Sequence, residues 1–296
     1  SSTRACGTQE RDDMTALTDR EKSRQGSRIP ITVVIALVIL GVMVFAAVAG
    51  RLISPYDPYT QDLLRGVTGS DRTHWLGTDD MGRDVLSRLI DGTGRSVLGP
   101  LCVAMGTVIA GASAGLVAGY NGGALDNVLN RFADLVYALP ALLVAIVLLG
   151  ILGGSYWLTV AILVFLSVPS AIRIVGSVTR VQVRLPYIDS AKTLGLTDSR
   201  IMIRHVLPNI APTVLAVFLL DFVGALVAFS SLSFLGIGIA PGAADWGSML
   251  SQGQSMISEN PWVAVAPAAC LILTGSAATI FGDWFFKRLS DSGERK

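Results

Sequence analysis

Ile31-Thr32-Val33-Val34-Ile35-Ala36-Leu37-Val38-Ile39-Leu40-Gly41-Val42-Met43-Val44-Phe45-Ala46-Ala47-Val48-Ala49 runs for about 19 residues without a charged side chain. A helix of that length crosses the roughly 30 Å hydrocarbon core of a bilayer. Further apolar blocks follow at 96–120, 135–152, 157–174, 211–235 and 263–281. Inside lipid every backbone polar group needs a partner within the chain, which favours helices for blocks of this length. The sequence therefore predicts an all-α membrane protein of about six spans.

Composition agrees. Of 296 residues, 51% are hydrophobic and only 15% charged, where a soluble domain carries about 25% charge. A net charge of +1 gives no reason to expect a nucleic-acid partner. Cys6, Cys102 and Cys270 are odd in number and far apart, and two lie in apolar blocks, which argues against a disulfide framework or zinc site. With only His74 and His205 present, a histidine-based metal site is not expected. Gly92-Thr93-Gly94-Arg95-Ser96 resembles a phosphate loop but lacks its spacing, and no Gly-Lys pair occurs anywhere, so ATP binding by this chain is not expected.

Arg20, Lys22, Arg24 and Arg28 precede the first block and Ala47-Val48-Ala49 ends it, as in a secretory signal. The block is longer than the 7–15 residues of a signal core, so a retained anchor is expected. Ser1 is not a natural start, and Met14 is a candidate initiator. With the N-terminus inside, inner segments hold 17 Lys and Arg and outer segments 6, which predicts both termini to be cytoplasmic. Trp157 and Trp262 at outer span ends and Trp284 at an inner end fit interfacial rings. The expected organisation is a disordered polar tail at 1–29, an anchor at 30–50, an outer loop at 51–95, a transmembrane core at 96–286 and an inner tail at 287–296. The core contains an inner loop at 175–210 and a second outer loop at 236–262. Gly111, Gly115 and Gly119 form a small-residue stripe suited to close helix packing.

In the first outer loop, Met81, Val85, Leu86, Leu89 and Ile90 share one helical face, opposite Arg83, Asp84, Ser87, Arg88 and Asp91. This pattern predicts an amphipathic helix on the outer membrane surface, with an Asp84–Arg88 pair and a stop at Gly92. An outside partner contacting its charges is the alternative. The inner loop reads as two short helices joined by a turn. Pro186 opens the first and Gly195 closes it, Thr197 or Asp198 caps the second, and Pro208 stops it short of the next span.

Asp189-Ser190-Ala191, Gly195 and His205-Val206-Leu207-Pro208 resemble the EAA loop of ABC-importer permeases, which runs Glu-Ala-Ala, three residues, Gly, then His-x-Leu-Pro. His74-Trp75-Leu76-Gly77-Thr78-Asp79 with Gly82-Arg83-Asp84-Val85-Leu86-Ser87-Arg88-Leu89 is similar to a stretch of the dipeptide, oligopeptide and nickel permeases. So are Leu232-Ser233-Phe234-Leu235-Gly236 and Trp246-Gly247-Ser248-Met249-Leu250. The chain departs from that pattern at Asp189-Ser190, where the family has Glu-Ala, and at Phe229, where relatives often carry a carboxylate.

The resemblance implies a type I ABC-importer permease fold and half of a translocation pathway for peptides or a similar small solute, in a bacterial inner membrane. It implies a second permease, two ATPase subunits that hold ATP and Mg, and an extracytoplasmic binding protein. It also makes Asp189, Ser190, Ala191, Gly195, His205, Leu207 and Pro208 the ATPase coupling element, with no catalytic residue. His205 has a second reading, as a helix-end residue capping carbonyls.

Asp221 stands alone among apolar residues near the bilayer centre, where a charge costs on the order of 2.5–3.5 kcal/mol. Either it lines the substrate path or it bonds a neighbouring helix. Ser230, Ser231 and Ser233 either line the same path or back-bond to their own helix. The competing function is an ion-gradient-driven secondary transporter, a class that tends to show charges or broken helices in matching halves of the chain. An intramembrane enzyme would need a catalytic constellation within the spans.

Overall fold

The computed structural model describes residues 29–293; the expected disordered tail lies almost entirely outside the described residues. Among those residues the chain is helical apart from loops and two isolated bridges, Thr68 with Thr78 and Thr78 with Asp84. The helices are α1 (Ile31–Ile53), α2 (Val85–Thr107), α3 (Ser113–Asn121), α4 (Gly123–Tyr137), α5 (Ala141–Leu152), α6 (Tyr156–Val183), α7 (Pro186–Thr193), α8 (Asp198–Ile201), α9 (Leu207–Phe234), α10 (Trp246–Gly253) and α11 (Trp262–Gly293). Wide π-turns at Val108–Ala112 and Met202–Val206 join α2 to α3 and α8 to α9 without breaking the rod. Five rods are long and apolar enough to span a bilayer, and α4 with α5 makes a sixth that is bent by 80°.

Several expectations change. The block 135–152 is not one straight span. Pro140 has no N–H and pushes Leu139 out of the helical region, so the chain breaks between α4 and α5.

The predicted surface helix is instead the start of α2. Asp84 caps it, and Arg88 is only 1% exposed, so the polar face is the buried one. Gly92 does not stop that helix. It lies within α2, where a Cβ would stand 3.1 Å from the Asp245 backbone. Arg88 pairs with Asp79 rather than with Asp84.

Pro208 does not stop its helix either. A proline expels the hydrogen bond and the ring space of a regular turn, and the π-turn just before it supplies the extra width, so α8 runs into α9.

The bundle core has two main levels. The outer cluster joins Val103, Leu163, Leu166, Ala225, Phe229 and Leu232 with Ala145 and Leu149 of α5. The inner one joins Ala112, Leu116, Ala171 and Val175 to Ile188, Ala191, Ile201 and Val206 of the inner loop. The rod α2–α3 runs parallel to α6 at close range. A Cβ at Gly111 would lie 2.5 Å from Ala171 Cβ, and one at Gly119 2.6 Å from the Gly176 carbonyl. The glycine stripe is what allows this approach.

Candidate functional site

The inner loop has one face fixed and one free. Ile188, Ala191, Ile201 and Val206 are buried in the inner core, so the two short helices cannot shift without disturbing the bundle. Asp189, Ser190, Gly195 and Pro208 are exposed, and Leu194 is 80% exposed between the helices. Pro186 is the first residue of α7, and Gly195 turns the chain with φ +77°. A Cβ there meets nothing within 4 Å, so only backbone strain selects glycine. Tyr120 at the end of α3 donates its hydroxyl to Asp198 Oδ1 at 2.6 Å, and Lys192 lies over the Tyr120 ring. His205 lies inside the π-turn, not at a helix end. Its carbonyl accepts a bond from Asn209 Nδ2.

At the opposite end, residues 54–84 fold into a cap on the tops of α2, α10 and α11. Asp79 accepts from Arg83 Nε at 2.8 Å and from the backbone N–H groups of Met81 and Arg83. Arg88 shares that carboxylate at 3.4 Å, and its two terminal nitrogens are buried with no partner among the described residues. Asp84 accepts from Ser87 and from His74 Nδ1. Asn260 donates to the carbonyls of Leu76 and Thr78. Trp246 is fully buried: its backbone N–H donates to Ser96 Oγ and its ring N–H to the Leu89 carbonyl. Asp245 Oδ1 caps α10 through Gly247 and Ser248, and accepts from Ser233 Oγ at 2.5 Å. Three of the four sequence stretches quoted above thus converge in this cap, and the fourth is the inner loop.

Asp221 and Ser230 do not come together. Ser230 lines a cavity of about 360 Å³ with Val223, Leu226, Val227, Ser231 and Phe234 near the outer end of α9. Ser231 back-bonds to the Val227 carbonyl, and Ser233 is taken by Asp245. Asp221 is absent from that lining. It falls on the α9 face that carries Val214, Val217, Ala225 and Ala228 into the core, with Oδ2 buried and unpartnered. Sequence reasoning quoted Asp79 within a family-like stretch without giving it a role, and missed Asp245, Asn260 and Tyr120. Only the helix-capping position of Asp245, just before Trp246, left a local signal.

A bundle of membrane-length helices with a core-anchored inner loop and a closed outer cap defines a multi-span helical membrane protein. A family model described as "Binding-protein-dependent transport system inner membrane component" matches residues 111–291, and the chain belongs to that family. Residues 32–66 match the N-terminal TM domain of oligopeptide transport permease C. The glutathione transport system permease protein GsiD of Pectobacterium atrosepticum is 32% identical over 265 residues, 89% of this chain and 88% of that protein. The probable D,D-dipeptide transport system permease protein DdpC of Escherichia coli K12 is 28% identical, covering 86% and 85%. In structure the chain is similar to the inward-facing MetNI methionine ABC transporter, with TM-score 0.54 and 16% identity, over 68% of this chain and 95% of that one. The fold is that of a type I importer permease, and the chain is a permease subunit of the binding-protein-dependent transport family.

Proposed function

We propose that this subunit forms half of an import pathway for small peptides in a bacterial inner membrane, alongside a second permease. Two ATPase subunits, holding ATP and Mg, dock against the inner loop, and a binding protein delivers cargo to the outer cap. The observation that carries the coupling role is the two-faced loop: Ile188 and Ala191 locked in the core, Asp189, Ser190 and Leu194 presented outward. A push on the free face is transmitted because the other face cannot yield. His205, Leu207 and Pro208 shape the π-turn that sets how the loop meets α9. The relatives named for glutathione and D,D-dipeptide transport support the cargo class. The Ser230 cavity is the part of α9 we assign to the path; Asp221, on the packed face, is left to a different role.

The test is ATP-driven uptake of short peptides into proteoliposomes holding both permeases and the ATPases, with binding protein inside the reaction. Uptake that requires ATP and the binding protein supports the reading. Uptake that persists without ATP but is lost when the ion gradient is dissipated would replace it with the secondary transporter.

A further inference from the structure

Among the side-chain oxygens buried without a partner in the apolar interior, Asp221 Oδ2 on α9 and Thr107 Oγ1 on α2 form a pair, and Thr274 Oγ1 lies apart on α11. Thr107 is 0% exposed. Register sets Asp221 and Thr107 at one depth. The rods α2 and α9 run antiparallel and touch where a Cβ on Gly99 would lie 2.9 Å from the Phe229 ring. An eight-residue step inward along each helix, about 12 Å, leads to Thr107 on one and Asp221 on the other. The faces agree as well. Val103 and Ala104, one turn outward of Thr107, pack in clusters that contain Ala225 and Phe222. Asp221 sits where α9 passes from the outer cluster to the inner one.

Two backbones are irregular at this same level. The α2 rod enters its π-turn at Val108, the residue after Thr107. On the parallel α6, Val164 meets Gly106 and Ala171 meets Gly111, which sets Phe165 level with Thr107. Pro169 lies inside α6 and has no N–H, so the Phe165 carbonyl, four residues earlier, is without its helical donor. None of the ion pairs among the described residues includes Asp221.

We propose that Asp221, Thr107 and the Phe165 carbonyl together hold one small monovalent cation of sodium size. A carboxylate, a hydroxyl and a freed carbonyl are hard oxygen donors with a single negative charge, the chemistry by which broken helices hold such ions in membranes. An unpaired carboxylate at this depth is costly, and one bound cation neutralises it. The ion ties α2, α6 and α9 across the level where the two core clusters meet. The site itself does not rest on the import reading; only its use as a brace during transport does.

The experiment is thermal unfolding of the intact purified complex in sodium, potassium or choline chloride at equal ionic strength. Sodium is expected to raise the midpoint by a few degrees over choline, saturably, with potassium in between. Asp221→Asn and Thr107→Val are expected to abolish the sodium increment, and Thr107→Ser to keep it. Equal midpoints in all three salts would overturn the proposal, as would an increment that survives in Asp221→Asn. If Asp221→Asn does not assemble, the Thr107→Val and Thr107→Ser pair decides the matter by the same readout. No uptake is measured, so failure here is distinct from failure of the import reading.

Discussion

One oxygen of Asp245 caps α10 and also holds Ser233 of α9, so a single atom joins two elements of the outer cap. Asp245→Ala removes a helix cap, worth about 1 kcal/mol, and leaves a buried hydroxyl unpaired, about 1–3 kcal/mol more. The expected result is a loss of about 2–4 kcal/mol from those two effects, read as a lowered unfolding midpoint, with Asp245→Asn recovering much of it. An alanine variant as stable as the parent would remove Asp245 from this role. At Gly195 the effect is conformational. A β-carbon at φ +77° costs about 1–2 kcal/mol, and no neighbour crowds it. Gly195→Val is therefore expected to leave the complex assembled while cargo moved per ATP hydrolysed falls several-fold; unchanged stoichiometry would count against the loop as the docking element. Gly195 was legible because a turn after a short helix asks for glycine. The partner of Arg88 was not, because spacing alone favours Asp84, whereas the folded cap brings Asp79 to the guanidinium and engages Asp84 in capping.

At the scale of elements, a helical polar face does not say what covers it. The Arg83–Asp84–Ser87–Arg88 face reads as solvated in isolation, yet residues 54–84 and α10 close over it, and the helix continues into the membrane. Pro208 shows the same limit. Proline signals an end, but a π-turn upstream lets the rod pass, and nothing local in Met202–Val206 announces one. The turn sets the rotation of the inner loop about α9. Pro208→Ala frees the turn to relax to regular α geometry, because it restores the missing N–H. Stability is expected to hold or rise while ATP-driven uptake falls. Uptake at the parental rate would mean the wide turn has no part in transmission. The broken third span was half visible: Pro140 stood inside the apolar block, but only the structure gives the 80° bend.

For the whole molecule, the spans were the most legible, since apolar length alone marks them; the orientation expected from the 17-to-6 excess of Lys and Arg is a prediction that labelling decides. Leu64 in the outer cap and Ser199 in the inner loop are both exposed. In a background without Cys6, Cys102 and Cys270, Leu64→Cys should react with an impermeant thiol reagent added to intact cells, and Ser199→Cys should react only after lysis. The opposite pattern would invert the orientation and sink the assignment of the inner loop. What composition could not show is which distant segments meet in the cap, because those contacts depend on tertiary closure rather than on local pattern.

That closure has a consequence for how the protein is made. Asn260 Nδ2 bonds the carbonyl of Thr78, a residue 182 positions earlier in the chain. At about 5–20 residues added per second, Thr78 waits on the order of 10–40 s for its partner to leave the ribosome. Through that interval the cap's arginines and aspartates stand on the far side of the membrane without the α10 and Asn260 segments that finish their enclosure. A nascent chain halted before Asn260 should thus be cut by outside proteases within the 54–84 segment, whereas the finished chain should resist them.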